Sequence, residues 1–236
     1  PTKSIQNKFP ITFIAYDLLE INGFDKRETV LEKRRIDLEK YFLKWLNVTE
    51  EDISDILKIS ELIYPNNWEE AEKIKNSSRE NNTEGLLIKN KNTIYSSGRK
   101  KGFWWKYKVD PMQLDAILIY AKGGSGRRAG LYTDYSFALW KDKELIKFAS
   151  AYSGLNNTEI KELDKWIRQN TIERFGPVRS VKPKMVFEIS FENIQRSKRH
   201  KSGIAVRFPR ITKWRKDKFY KDADTLEEAK KLIINK

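Results

Sequence analysis

The dipeptide Asp110-Pro111 limits more than any other feature how this chain can fold. Proline has no N–H to give a strand ladder and disfavours helical geometry in the residue before it, so neither a helix nor a central strand runs through this point. The patterns on its two sides also differ. Before it, strand-like and helix-like runs alternate; after it come short, closely spaced strand-like runs separated by Gly-rich turns. A domain junction is therefore expected here, dividing the chain into residues 1–109 and 110–236.

In the first part, the β-branched and aromatic run over residues 11–19 has strand length and is closed by the turn signal Asn22-Gly23, which predicts a buried strand. Leu31, Leu38, Phe42 and Trp45 recur at spacings of seven, four and three, so residues 28–46 read as an amphipathic helix with Lys33, Arg34 and Arg35 off its apolar face. A short strand over 56–63, Pro65 and a charged helix over 67–78 follow. Residues 84–89 and 103–109 predict two more strands joined by the polar stretch 90–101.

In the second part, strands are expected over 114–120, 131–140, 145–151, 186–191 and 205–214, a spacing that suggests a small barrel or sandwich. A helix with Ile160, Leu163, Trp166 and Ile167 as its stripe interrupts them and is read as ending at Gly176-Pro177. The sequence Thr225-Leu-Glu-Glu228 is a capping box opening a terminal helix through Leu226, Ala229, Leu232 and Ile233.

Composition narrows the function. With 39% hydrophobic residues the chain can bury cores, which excludes a disordered polymer. Lys+Arg 47 against Asp+Glu 33 gives +14, a field that draws polyanions, nucleic acid first. Zero Cys excludes disulfides, thiol catalysis and Cys-based zinc sites, and the single His200 leaves no His cluster, so any metal must sit on oxygen ligands. No apolar run approaches the ~18 residues of a membrane span and no signal pattern opens the chain, so a soluble, intracellular protein is expected. The start at Pro1 without an initiator Met suggests an expressed fragment or processed product.

Three constellations could carry chemistry. Trp104, Lys106 and Lys108 share one face of a strand by its period of two; the lysines, about 7 Å apart, either grip oxygens of one phosphate or blunt a solvated edge. Glu84 begins a strand before Gly85, where backbone or ligand can come close, and reads as a turn residue or a functional carboxylate. Between Gln195 and Lys218 lie ten Lys/Arg against one acid, Asp217, interleaved with Phe208 and Trp214, which is either a solvated face or a phosphate-backbone surface. His200 in that run reads as a surface contact. The loop Gly123-Gly-Ser-Gly-Arg-Arg128 lacks the setting of a phosphate-binding P-loop and reads as a barrel turn.

The order of the motifs is more specific than any one of them. Tyr16-Asp-Leu-Leu-Glu-Ile-Asn-Gly23 with Arg34-Arg35 behind it, Glu84-Gly-Leu-Leu-Ile-Lys89, Trp105-Lys-Tyr-Lys108 and the run from Arg207-Phe-Pro-Arg210 to Lys218 resemble, in sequence order, the later motifs of ATP-dependent DNA ligases. The stretches 126–135, Arg174-Phe-Gly-Pro-Val-Arg179 and His200-Lys-Ser-Gly203 look like the bacterial ligases associated with a large helicase-like protein and a phosphoesterase.

The resemblance implies an α+β chain: residues 1–109 as the C-terminal part of an adenylyltransferase (nucleotidyltransferase) domain, a sheet with helices, and 110–236 as an OB-fold β-barrel that swivels about the junction. It implies a monomeric, cytoplasmic, nucleoid-associated enzyme that seals nicks in duplex DNA through lysyl-AMP and DNA-adenylate intermediates, with ATP as AMP donor and Mg²⁺ or another divalent cation. Carried over residue by residue, Tyr16 stacks on adenine, Glu84 holds the metal, Lys106 and Lys108 contact the α-phosphate, and Lys89 and Lys100 are auxiliary nucleotide contacts. Arg215 and Lys218, with Asp217, orient the pyrophosphate leaving group. The basic run places DNA contacts at Arg196, Lys198, Arg199, Lys201, Arg207 and Arg210. The family's Lys-x-Asp-Gly nucleophile motif does not occur in these residues, nor does the acidic motif expected between it and Tyr16, so the chain is expected to be a C-terminal fragment that does not self-adenylate. The competing readings are a non-catalytic single-strand-binding OB protein and an RNA ligase or mRNA-capping nucleotidyltransferase.

Overall fold

The computed structural model describes residues 2–48, 56–81, 83–126, 129–152 and 154–234. Arg127 and Arg128, part of one stretch singled out above, lie outside them. The chain gathers into two compact units, residues 1–109 and 110–236.

The first unit runs α1 (Lys3–Lys8), β1 (Phe13–Ala15), β2 (Glu20–Ile21), β3 (Phe24–Asp25), α2 (Leu31–Val48), β4 (Leu57–Ile59), α3 (Trp68–Asn76), β5 (Gly85–Lys89) and β6 (Trp104–Lys108). Its strands pair two by two: β1 with β4 in parallel, β2 with β3 and β5 with β6 antiparallel. Asn22 and Gly23 both have positive φ, as the tight hairpin between β2 and β3 requires. The strand predicted over 11–19 shrinks to three residues and is not buried, Phe13 being 66% exposed. Asp17 accounts for its early end: its carboxylate accepts the Leu18 N–H and turns inward to Arg34, a local bond that competes with strand pairing.

Helix α2 forms with Leu31 and Leu38 of the expected stripe buried, whereas Trp45 at its far end is exposed; Arg34 lies in the same stripe and is also buried, contrary to the reading that placed it outside. The N–H groups of Leu31 and Glu32, which have no partner inside the helix, donate to the carbonyls of Thr93 and Lys91, so the loop after β5 caps α2. Asn67 caps α3 by accepting from Glu70 N–H.

The second unit runs β7 (Met112–Gly123), β8 (Tyr132–Lys141), β9 (Glu144–Ala151), α4 (Asn157–Gln169), β10 (Thr171–Phe175), β11 (Val178–Val181), β12 (Val186–Phe191), β13 (Asn193–Arg196), β14 (Ile204–Arg207), β15 (Arg210–Trp214) and α5 (Leu226–Lys231). Seven of these strands make one sheet in the order β10-β11-β7-β12-β15, with β8 on β7 and β9 on β8. The long β7 serves three neighbours. Leu118, Phe137, Phe187, Ile189 and Phe191 from the sheet meet Leu163 and Ile167 of α4 in one core, and Trp214 stacks on Phe187 at 5.3 Å.

The expected barrel is present as a seven-stranded sheet that does not close: among the described residues β9 and β15 share no ladder. The chain leaves β9 towards α4 instead and comes close to β15 at Gly154, whose φ is +116 and whose added Cβ would fall 1.7 Å from the Ile211 carbonyl oxygen. Other boundaries also shift. Helix α4 stops at Gln169, and Gly176-Pro177 is the turn of the β10–β11 hairpin rather than a helix end. The strand expected over 205–214 is two, parted at Phe208, where φ is +52. The capping box at Thr225 forms, but α5 ends before Leu232 and Ile233.

Candidate functional site

The β5–β6 ladder sets the first cluster. Its register pairs Gly85 with Lys108, Leu87 with Lys106 and Lys89 with Trp104, so both lysines of β6 and Lys89 project from one face. Gly85 is needed for the close approach of β6 itself, since a Cβ there would lie 2.2 Å from the Tyr107 carbonyl oxygen. This brings Lys108 Nζ to 3.0 Å from the Glu84 carboxylate, both about one-third exposed, while Lys106 is exposed. A phosphate arriving on this face would meet two ammonium groups with one carboxylate beside them.

Tyr16 and Lys89 also come together. Lys89 Nζ lies 4.8 Å from the Tyr16 ring centre and 4.4 Å from that of Trp104, an aromatic bracket about a cation. Burial holds the Lys89 pKa below the ordinary lysine value; Asp17 opposes that shift, and Arg34 and Arg35 reinforce it. Beneath the bracket, Arg34 makes two bonds of 2.8 Å to Asp17 and donates to the Thr29 carbonyl, with its guanidinium over Tyr95. Sequence reasoning missed this pair, although the spacing 31, 34, 38 already placed Arg34 on the apolar stripe; it set Trp104 on the face of Lys106 and Lys108 but did not foresee its contact with Lys89. Lys100 is exposed in the loop between β5 and β6 and joins none of these contacts.

In the second unit Arg215 and Lys218 meet on Asp115 of β7. Arg215 Nη1 is 2.8 Å and Lys218 Nζ 2.5 Å from its Oδ2, and Arg215 also grips Asp217 through Nε and Nη2. The hydrogen bond to Asp217 raises the Arg215 pKa and lowers that of Asp217, and the bond to Asp115 raises that of Lys218. Asp115 was overlooked. Its signal was a lone carboxylate inside an apolar strand run, which needs a partner to be buried.

The basic run does not form one face. Arg196, Lys198, Arg199 and Lys201 are exposed at the end of β13 and in the turn beyond it, whereas Arg207 pairs with Asn193, on the opposite side of the two-stranded ribbon from Arg196 by strand alternation. Arg210 begins β15 and is tied to Glu192 at 2.9 Å. Among the described residues no group of three or more His, Cys, Asp or Glu could hold a metal ion, and no helix is long and apolar enough to cross a membrane.

A ladder that brings two lysines and a carboxylate together on a small α/β unit precedes an open β-sheet unit with a cationic turn and a basic ribbon. Residues 1–108 match the ATP dependent DNA ligase domain and residues 128–218 the ATP dependent DNA ligase C terminal region. A probable DNA ligase of Koribacter versatilis is 33% identical over 97% of this chain and 42% of its own length, and a DNA ligase of Thermococcus onnurineus 30% identical over 95% and 39%. The solved structure named Pmar-Lig_Pre. superposes with a TM-score of 0.64 over 87% of this chain and 44% of that one at 18% identity, a likeness of fold. The chain belongs to the ATP-dependent DNA ligase family, with a nucleotidyltransferase-type unit and an OB-type unit. It spans about two fifths of the length of the two curated relatives just described.

Proposed function

We propose that these residues supply the phosphate-handling part and the DNA-binding OB unit of an enzyme that seals nicked duplex DNA with ATP. The observation that carries this is the β5–β6 register, which sets Lys106 and Lys108 on one face with Glu84 3.0 Å from Lys108. In phosphoryl transfer the protein's contribution is chiefly to position groups and neutralise charge, and two ammonium groups on one pleat suit that task. Tyr16, bracketed with Lys89, is the base-stacking face; Lys89 and Lys100 are further nucleotide contacts. Arg215 and Lys218 meet the pyrophosphate, and Arg196, Lys198, Arg199, Lys201, Arg207 and Arg210 meet DNA phosphates. One partly exposed carboxylate fits a Mg²⁺ ion that takes the rest of its shell from phosphate and water rather than an all-protein cage. Such an ion would be held by Glu84 and would neutralise charge on the phosphates. The motif resemblance also supports action at the nucleoid as a monomer, with a helicase-like protein and a phosphoesterase as partners.

The test is adenylation and sealing measured separately. The 236-residue chain with labelled ATP and Mg²⁺ is expected to give no covalent AMP adduct, because these residues contain no Lys-x-Asp-Gly. A form of the protein that includes such a segment should become labelled. In that form Lys106→Ala, Lys108→Ala and Arg215→Ala should each slow labelling by ~10²–10³-fold, the usual effect of deleting one preorganised charge-stabilising group. Lys143→Ala serves as the control, and Arg215→Ala should spare closure of a pre-adenylated nick. Labelling of the 236-residue chain alone, or normal labelling by the β6 variants, would remove the assignment.

A further inference from the structure

Asp115 stands at a junction that the ligase reading does not use. It lies in β7 among Leu114, Ala116, Ile117 and Leu118, all buried, and is buried itself. Its backbone is tied to the segment before α5, since its N–H donates to Asp224 Oδ2 at 2.7 Å and its carbonyl accepts the Asp224 N–H at 2.8 Å. Its side chain is tied to the turn after β15, with Arg215 and Lys218 both donating to Oδ2, while Oδ1 has no hydrogen-bond partner among the described residues. One buried oxygen thus fixes two cations.

The donor inventory shows what this leaves available. A guanidinium has five N–H groups, of which Arg215 commits three, one to Asp115 and two to Asp217. An ammonium has three, of which Lys218 commits one. Each side chain therefore keeps two donors while its position is fixed. Because both nitrogens touch the same oxygen, the remaining donors lie within reach of the oxygens of a single diphosphate.

We propose that Asp115 is a positioning residue that sets Arg215 and Lys218 as a paired donor site for the diphosphate group of the nucleotide. This rests on the reading that Arg215 and Lys218 face pyrophosphate, and adds the residue that orients them. Two effects oppose each other when the Asp115 charge is removed. The cluster gains net positive charge, which favours an anion, and the two long side chains lose their common anchor, which costs orientation. The proposal is that orientation wins.

The experiment measures binding of inorganic pyrophosphate to the 236-residue chain by calorimetry at low ionic strength without divalent cations. Arg215→Ala should weaken binding about tenfold, as loss of a charge-assisted contact does. Asp115→Asn should weaken it about fivefold, yet change it by less than about twofold when Arg215 and Lys218 are already alanine. A merely structural Asp115 would weaken binding by the same factor on both backgrounds. Tighter binding by Asp115→Asn would overturn the proposal, because the carboxylate would then only neutralise the cations. If Arg215→Ala binds normally, the underlying pyrophosphate reading falls; if Arg215→Ala is weak while Asp115→Asn is normal, only the positioning role falls. Should Asp115→Asn not fold, nitrogen-15 spectra of the unaltered chain decide: pyrophosphate must shift the Arg215 Nη–H and Lys218 Nζ–H signals together, and must fail to shift those of Arg215 to the same extent in Lys218→Ala.

Discussion

The two units reach order by different means. The second has strands of up to twelve residues in a seven-stranded sheet, over a core of Phe137, Phe187, Ile189, Leu163 and their neighbours at essentially zero exposure. The first has three two-stranded sheets, and among its described residues the buried apolar side chains are Leu18, Leu31, Leu38 and Ala71. Ile11, Phe13, Ile14, Tyr64 and Trp68 in that unit are exposed. Apolar burial is the main favourable term in folding and two-stranded sheets are marginal alone, so the first unit depends on specific polar ties where the second depends on area. The candidate nucleotide-facing residues lie in the unit with little core. The cations assigned to the leaving group lie on the one with much.

That contrast breaks most readily at Arg34. It and Asp17 form a nearly fully buried ion pair, and removing one partner leaves a buried charge uncompensated, which costs ~3–5 kcal/mol. Arg34→Ala should therefore unfold the first unit while Trp214, stacked in the second, keeps its native fluorescence. The double variant Asp17→Leu/Arg34→Met should restore much of the loss, since replacing a whole buried pair by apolar groups is often near neutral. Hydrogen exchange resolved by region is the measurement. Equal loss of protection in both units would show that they do not fold on separate terms.

A smaller effect sharpens the same comparison from the apolar side. Leu163, at zero exposure in α4, should cost ~2–5 kcal/mol as alanine, whereas Ile14, 54% exposed on β1, should cost under about 0.5 kcal/mol. Urea midpoints of the two transitions give both values. A large penalty at Ile14 would mean that β1 is covered in solution.

What the sequence revealed follows the same division. Period and turn chemistry are local, so α2, α3, β5, β6 and the Thr225 capping box could be read within a few residues of their ends. The ordered motifs likewise named the Glu84, Lys106 and Lys108 ladder. Features that depend on distant partners could not be read. Arg34 appeared as a solvent-side cation because Asp17 lies seventeen positions away. Asp115 appeared as a strand residue because its partners are a hundred positions on. The helix was read on to Gly176-Pro177 because its stripe meets no break signal before them, and only the pairing of β10 with β11 and of β11 with β7 makes residues 171–181 a hairpin. The basic run looked like one surface because charge is visible in sequence and strand register is not; Glu192 then takes up Arg210.

The smallest expected effect concerns pH, and it separates the carboxylates of the second unit. Burial raises the Asp224 pKa above its ordinary 3.8, with Asp115 and Glu228 adding to the rise and the Asp115 N–H and Lys218 opposing it. Asp217, Glu227 and Glu228 are lowered instead, chiefly by hydrogen bonds to Arg215, Lys230 and Thr225. For Asp224 the folded state binds the proton more tightly than the unfolded chain. Its contribution is therefore favourable below pH 3.8 and is lost as pH rises through the folded-state pKa, the reverse of its three neighbours, whose stabilisation is lost as pH falls. Asp224→Asn keeps a carbonyl oxygen to accept the Asp115 N–H but removes the charge that burial disfavours. Its stability relative to the unaltered chain should rise between pH 3.8 and the raised pKa and be constant on either side, as read from urea midpoints at intervals from pH 3 to 7. Parallel profiles for the two proteins would mean that Asp224 titrates alike in the folded and unfolded chains, and that the tie between β7 and the segment before α5 is no drier than the surface.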